Sequence, residues 1–358
     1  MIKSFADTAG AAVSSILAGS WRVPPPALRI SLSQFNEVTP LLYESGAAAL
    51  GWHRVRVTEF AASPSGELLH QAYRLQLLHA SINEDRIRKV FRLLRAEGIE
   101  PIIFKGWSVA RLYPQAGFRP YGDIDILVRP ARMAAARRII AGPEARDCWV
   151  DLHDQIDELD DRKLDDLFAR SQLVQLGDEQ IRVLSLEDHF GLLAVHLLKH
   201  GAWRPLWLCD LAVILDSLPQ TFDWDLCIGK DKVRANWITT ALGLAQIILD
   251  AKLPKEGAGR AAQMPVWLPR AVLKEWDRPF NTEQSPMSYV APMASYLRRP
   301  KGLWRDLWKR WPNPILATVA VKGRFNRLPR FPYQLGNCFL RAVRFATSLV
   351  PGGATQEG

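Results

Sequence analysis

The run Gly122-Asp123-Ile124-Asp125-Ile126-Leu127-Val128 constrains this chain more than any other stretch of its length. Ile124, Ile126, Leu127 and Val128 are strand formers placed directly after a glycine, so residues 122–128 are predicted to be a strand. Side chains alternate across a strand, which sets Asp123 and Asp125 on one face with Cα atoms ~6.5–7 Å apart. Two ionised carboxylates on a half-buried sheet repel each other and are costly to desolvate. A pair of divalent cations ~3.5–4 Å apart removes that cost, and is a device for in-line displacement at phosphorus. An Asp-x-Asp alone is a weak signal, because exposed strand ends carry such pairs without metal. The flanking residues have to decide.

Upstream, Glu100–Phe104 (EPIIF) reads as a short buried strand, and Lys105-Gly106 turns from it into a helical stretch over Trp107–Tyr113. A glycine at a strand-to-helix turn leaves backbone N–H groups free for phosphate oxygens. The expected polyphosphate contacts are Lys105, Gly106, Trp107 and Arg119, with Arg111 as a further cation. Downstream, a helix is predicted over Ala131–Ala141, closed by Gly142-Pro143, and then a strand over residues 148–153 (CWVDLH). That strand carries Asp151 and His153 on one face, with Asp151 26 positions after Asp125. Asp151 is the expected third acid, so Asp123, Asp125 and Asp151 form the expected catalytic and metal-ligating set. Two Mg²⁺ ions are the expected cofactor, with Mn²⁺ as a substitute.

These blocks resemble a known family. The pattern K-G-x(12)-R-P-x-G-D-I-D-I-L-V-R-P followed by V-D-L-H is similar to uncharacterised bacterial nucleotidyltransferases of the DNA polymerase beta superfamily. The likeness continues through His196–Gly201 (HLLKHG) and Leu206–Leu215 (LWLCDLAVIL), and covers roughly Leu68–Leu215. Where the wider superfamily has Gly-Gly or Gly-Ser before the Asp-x-Asp, this chain has Lys105-Gly106-Trp107, as its subgroup does. The resemblance implies an α+β fold: a small mixed sheet of polymerase-beta-like type embedded in mostly helical N- and C-terminal regions. It also implies transfer of a nucleoside monophosphate from a nucleoside triphosphate to an acceptor hydroxyl of a small molecule or protein.

Composition fits an enzyme of the cytoplasm. Of 358 residues, 48% are apolar and 23% charged, which is ordinary for a globular chain and excludes a disordered one. The four cysteines (Cys148, Cys209, Cys227, Cys338) form no C-x-x-C pair and read as reduced thiols. The N-terminal apolar run is too interrupted for a signal peptide, and no uninterrupted apolar stretch reaches ~18–20 residues. Net charge is +9, and its distribution is uneven. Residues 298–345 hold twelve Lys or Arg against Asp306 alone, so the remaining chain is slightly acidic. Trp304, Trp308 and Trp311 fall on one helical face among these cations. Such a stretch either packs its tryptophans on the body, or docks on the inner face of a membrane or on an acidic protein partner. Nucleic acid is the least expected partner.

Four regions are expected: an N-terminal helical region (1–98), a nucleotidyltransferase core (99–155), a helical domain (156–290) and a basic Trp-rich segment (291–358). The stretch Glu67–Glu97 reads as one long amphipathic helix or two, ended by Gly98, and 235–251 and 266–276 as further helices. The acidic residues of 154–166, Glu158 among them, read as a solvated face. Ser185-Leu186-Glu187-Asp188 opens a helix as a capping box, and His189, His196 and His200 share one face of it. A zinc site there lacks an H-E-x-x-H pattern. The face is expected to border the cleft instead, with His153, His196, Lys199 and His200 as its side chains. Asp210, in an apolar helix, is expected to be a buried partner for a His, Arg or Trp. The rival to an enzyme is an inactive nucleotidyltransferase body that serves as a scaffold, held to a membrane or acidic partner by its basic segment.

Overall fold

The computed structural model describes residues 8–261, 264–278 and 311–348. Three helices lead: α1 (Ala9–Leu17), α2 (Leu32–Glu44) and α3 (Ala48–Val55). The long helix α4 (Pro64–Ala96) follows, opened by Ser63, whose Oγ accepts from the Gly66 amide at 3.1 Å, and by proline in the first turn. It stops at Gly98, whose φ of +69° reverses the chain; a Cβ there would touch nothing, so conformation alone asks for glycine.

A five-stranded sheet, the single one among the described residues, comes next: β1 (Ile102–Ile103), β2 (Ile124–Leu127), β3 (Val150–His153), β4 (Gln172–Leu176) and β5 (Glu179–Val183). Its order is β3-β2-β1-β5-β4. The β1–β2 and β4–β5 pairs are antiparallel, whereas β2–β3 and β1–β5 are parallel. Parallel β2 and β3 need a crossover, supplied by α6 (Met133–Ile140). A short α5 (Gly106–Ala110) lies between β1 and β2, and α7 (Leu164–Arg170) between β3 and β4.

Alternation along the strands splits the interior into two cores. Ile103, Ile124, Ile126, Val128 and Val183 pack with Ile87, Val90, Phe91 and Leu94 of α4 and Ala136 of α6. Ile102, Phe104 and Leu127 face the opposite way, into a larger core built by the helical body. That body comprises α8 (Leu186–Lys199), α9 (Pro205–Asp216), α10 (Trp224–Ile228), α11 (Lys232–Leu249), α12 (Lys255–Ala261) and α13 (Trp267–Trp276). Asp125 shares its side of the sheet with Leu127, so it looks toward these helices. The α+β architecture, with one small mixed sheet and helices at both ends, is as the sequence implied.

Two helices close the described chain, α14 (Pro314–Ala320) and α15 (Phe331–Ser348). Asn313 caps α14 and also donates from Nδ2 to the Gly201 carbonyl at 3.1 Å, tying it to the end of α8. Of the three predicted tryptophans, Trp304 and Trp308 lie outside the described residues, and Trp311 stacks on Phe331 with centroids 5.7 Å apart. The expected thiols hold: Cys148, Cys209 and Cys227 are buried and unpaired, and Cys338 is half-buried.

One acid of the 154–166 stretch departs from the solvated face. Glu158 sits in a 3-10 turn (Asp157–Leu159) and is buried, because the turn packs on α8 and presents the carboxylate to His196.

Candidate metal and nucleotide site

Register builds the centre of the site. In the β2–β3 pair Asp125 lies opposite Asp151, and Leu127 opposite His153. Side chains two apart share a face, so Asp125, Asp151 and His153 converge, their ligand atoms all within 4.8 Å of one another. Asp125 is 7% exposed and Asp151 open to solvent. The His153 Nε2 lies 3.1 Å from Asp151 Oδ2 and 3.4 Å from Asp125 Oδ1. Neither approach has the direction of a hydrogen bond, and Nε2 is buried without a hydrogen-bond partner. Burial opposes a charged imidazole here, but the two carboxylates outweigh it and raise the His153 pKa. A buried carboxylate, a second carboxylate in register and an orphaned ring nitrogen fit a divalent cation as one oxygen, oxygen, nitrogen donor set.

Asp123 does not join this group. The ladder begins at Ile124, so Asp123 stands on the exposed approach to β2, where its charge acts on Arg204.

The turn after β1 has an unusual backbone. Lys105 has φ +56° and ψ −149°, a region that residues with a Cβ rarely occupy, and Gly106 follows at φ +32°. Such strain costs on the order of 1–3 kcal/mol and persists where the surrounding structure imposes it. It holds the Lys105 ammonium 3.7 Å from Asp125 Oδ1 and over the Phe104 ring. The expected Trp107 contact is corrected: its indole is buried in the core between sheet and α4, leaving only backbone for a ligand.

Arg119 is likewise redirected. It is buried against Asp210, with Nη2 2.9 Å from Oδ2, while the Tyr113 hydroxyl donates to Oδ1 at 2.8 Å. A carboxylate inside an apolar helix demands such partners, so Arg119 serves Asp210 and not a phosphate. The buried partner expected for Asp210 is thus an arginine.

Facing the acid cluster is a wall from α8 and α9. His196 Nδ1 lies 3.2 Å from Glu158 Oε1, and Lys199 Nζ is 3.9 Å from the same oxygen. Burial pushes the Glu158 pKa up, but His196, Lys105 and Lys199 more than reverse this and hold it far below the usual range. Burial lowers the His196 pKa and brings that of His200 down to about 4, so both rings are neutral near pH 7. A neutral His196 that donates its Nδ1–H to an ionised Glu158 satisfies both groups. The rings of His196 and Trp207 meet edge to face at 4.7 Å, and His200 and Trp203 flank Trp207 at 5.3 and 4.9 Å. His189, by contrast, is buried away from this wall, with its pKa lowered by burial to about 3.

Arg204 completes the wall. Its Nε donates to the Ser45 carbonyl at 2.9 Å, its guanidinium lies over Trp207, and burial lowers its pKa to about 10. Neither Glu158 nor Arg204 was picked out from sequence. Glu158 hides among exposed acids, and Arg204 carries no local motif beyond preceding the proline that opens α9.

A small mixed sheet with an acidic cluster in register, facing a helical wall, is the arrangement that the resemblance to nucleotidyltransferases implied. The family described as uncharacterised nucleotidyltransferases matches this chain twice, over residues 31–143 and 141–244, more than half of its length. The chain belongs to that family. No curated protein and no solved structure matched it.

Proposed function

We propose that this protein moves a nucleoside monophosphate from a nucleoside triphosphate to a hydroxyl of a small-molecule or protein acceptor, in a reaction dependent on a divalent cation. The observation that supports this reading is the register that brings Asp125, Asp151 and His153 together beside Lys105. These three side chains would hold the cation, Mg²⁺ or Mn²⁺, with Asp123 at the mouth. When bound, it supplies charge stabilisation to the oxygens of the transferring group. Lys105 contributes a fixed cation beside Asp125, placed to neutralise phosphate charge as pyrophosphate leaves. The backbone of Gly106 lies next to it for phosphate oxygens. His196 keeps the lone pair of Nε2, because Nδ1–H is committed to Glu158, and can accept a hydrogen bond from the acceptor hydroxyl. His200, Trp203 and Trp207 give the cleft a half-exposed aromatic side for a planar group.

The test is incubation of purified protein with each α-³²P-labelled nucleoside triphosphate, Mg²⁺ or Mn²⁺, and cell extract. Wild type should transfer label and Asp125→Asn should not, while both melt cooperatively. Label transfer by Asp125→Asn at the wild-type rate would refute the assignment.

A further inference from the structure

We propose that Arg204 grips the polyphosphate of the nucleotide, in the place that Arg119 leaves open; this rests on the reading of the cleft as a nucleotidyl-transfer site. The Arg204 guanidinium is half-buried and held from three sides. Nε donates to the Ser45 carbonyl at 2.9 Å, and the group lies over the Trp207 ring. Gly46 makes the third side: its φ is +82°, and a Cβ there would come within 2.7 Å of Nη2. Nε–H and one N–H of Nη2 leave the guanidinium along the same edge, and that edge faces the Ser45-Gly46 turn. The other edge, Nη1 with the second N–H of Nη2, has no partner among the described residues.

An arginine placed so deep ordinarily has a carboxylate. Arg119 has Asp210 at 2.9 Å, and Arg162 has Asp188 at 2.6 Å. Among the described residues no carboxylate lies within ion-pair distance of Arg204. Burial and the charge of Arg119 both oppose its cation, yet with a pKa of about 10 it stays protonated at neutral pH. A half-buried cation without a counter-ion costs the fold stability, and an anion that offers two oxygens to the free edge removes that cost.

Position selects the anion. Asp123 acts on Arg204 without touching it, and a Cβ on Gly106 would lie 3.5 Å from the Asp123 carbonyl. The turn after β1, Asp123 and Arg204 therefore border one stretch of the cleft. Lys105 serves another, beside Asp125 and acting on Glu158. A triphosphate carries more charge than one divalent cation and one lysine offset, and its paired oxygens match a guanidinium edge. An uncharged base would use the faces of Trp203 and Trp207 and leave that edge unpaired.

The experiment is calorimetric titration of the full-length protein with inorganic tripolyphosphate, Mg²⁺ present throughout, which needs no turnover. Wild type should bind it, Arg204→Lys should bind it about tenfold or more weakly, and Arg204→Gln more weakly still. Arg204→Lys keeps the charge and the aliphatic stem, and circular dichroism with thermal melting should show it folded. If Arg204→Gln does not fold, Arg204→Lys alone decides. No binding by wild type, or equal binding by wild type and Arg204→Lys, overturns the proposal. Equal binding together with a raised KM for the acceptor in label transfer overturns it in favour of an anionic acceptor. Tripolyphosphate binding that depends on Arg204, in a protein that transfers no label, would uphold the grip while the nucleotidyl-transfer reading fails.

Discussion

Replacing Asp210 by alanine should be among the most damaging single changes in the helical body. The carboxylate is fully buried and accepts from the Tyr113 hydroxyl at 2.8 Å and from Arg119 Nη2 and Nε at 2.9 and 3.2 Å. Without it, Arg119 keeps a bond to the Pro120 carbonyl, and its charge stays buried near Arg204, which already opposes it. Breaking a buried pair from one side costs about 3–5 kcal/mol. Tyr113→Phe, which removes one hydrogen bond to the charged acceptor, should cost about 1.5–3 kcal/mol. The double replacement Asp210→Leu/Arg119→Met removes both charges at similar volume, and should be far milder than either single change. Urea unfolding followed by tryptophan fluorescence gives each value, provided the slopes agree. A loss under about 1 kcal/mol for Asp210→Ala would refute the reasoning, as would a double variant whose loss equals the sum of the two single ones.

Gly117→Ala should destabilise by about 2 kcal/mol or more, since its φ is +82° and a Cβ would come within 2.9 Å of the Leu77 backbone; an unchanged melting temperature would contradict this. Stability should fall as pH drops from 6.5 toward 4, because His189 and His200, with folded pKa values of about 3 and about 4, take up protons in the unfolded chain first. Glu158 acts in the same direction below its ordinary value of 4.5, its stabilisation being present above that value and lost as pH falls. His189→Leu should flatten the upper part of this slope, measured as the urea midpoint against pH. With an imidazole in the donor set, Mn²⁺ should support label transfer at lower concentration than Mg²⁺, and His153→Asp should narrow that gap; equal half-saturation for both metals in wild type would count against His153 as a ligand.

The sheet was legible where one local signal dominated. Alternation around Asp125 gave β2, and the strand predicted at 148–153 gave β3, each somewhat longer than observed. The helix predicted at 131–141 became α6, two residues shorter at its start and one at its end. The helix expected over 107–113 closes after Ala110, since Tyr113 turns inward to Asp210. The β4–β5 hairpin was missed, although Gly177-Asp178 between two alternating runs is a recognised turn signal. In the site, pairing Asp125 with Asp151 was readable from period and order. The loss of Asp123 from the cluster was not, because it depends on where the ladder starts. Arg119 was misread for a related reason: charge in sequence says nothing of which acid reaches it first. Glu158 illustrates the same limit in reverse, since one carboxylate among several is singled out by packing against α8 alone.

The parallel pairing of β2 with β3 has a consequence for how the site comes into being. Asp125 and Asp151 are separated by a whole helix and a crossover, and nothing local in the chain holds them together. They become neighbours only when β2, α6 and β3 have all docked, so an unfolded or half-folded chain has no acid cluster to offer. Any cation that recognises the cluster therefore recognises the finished fold, and its affinity is added to the fold's own stability. Chelation would be felt first as a lower melting temperature and only then as a loss of turnover.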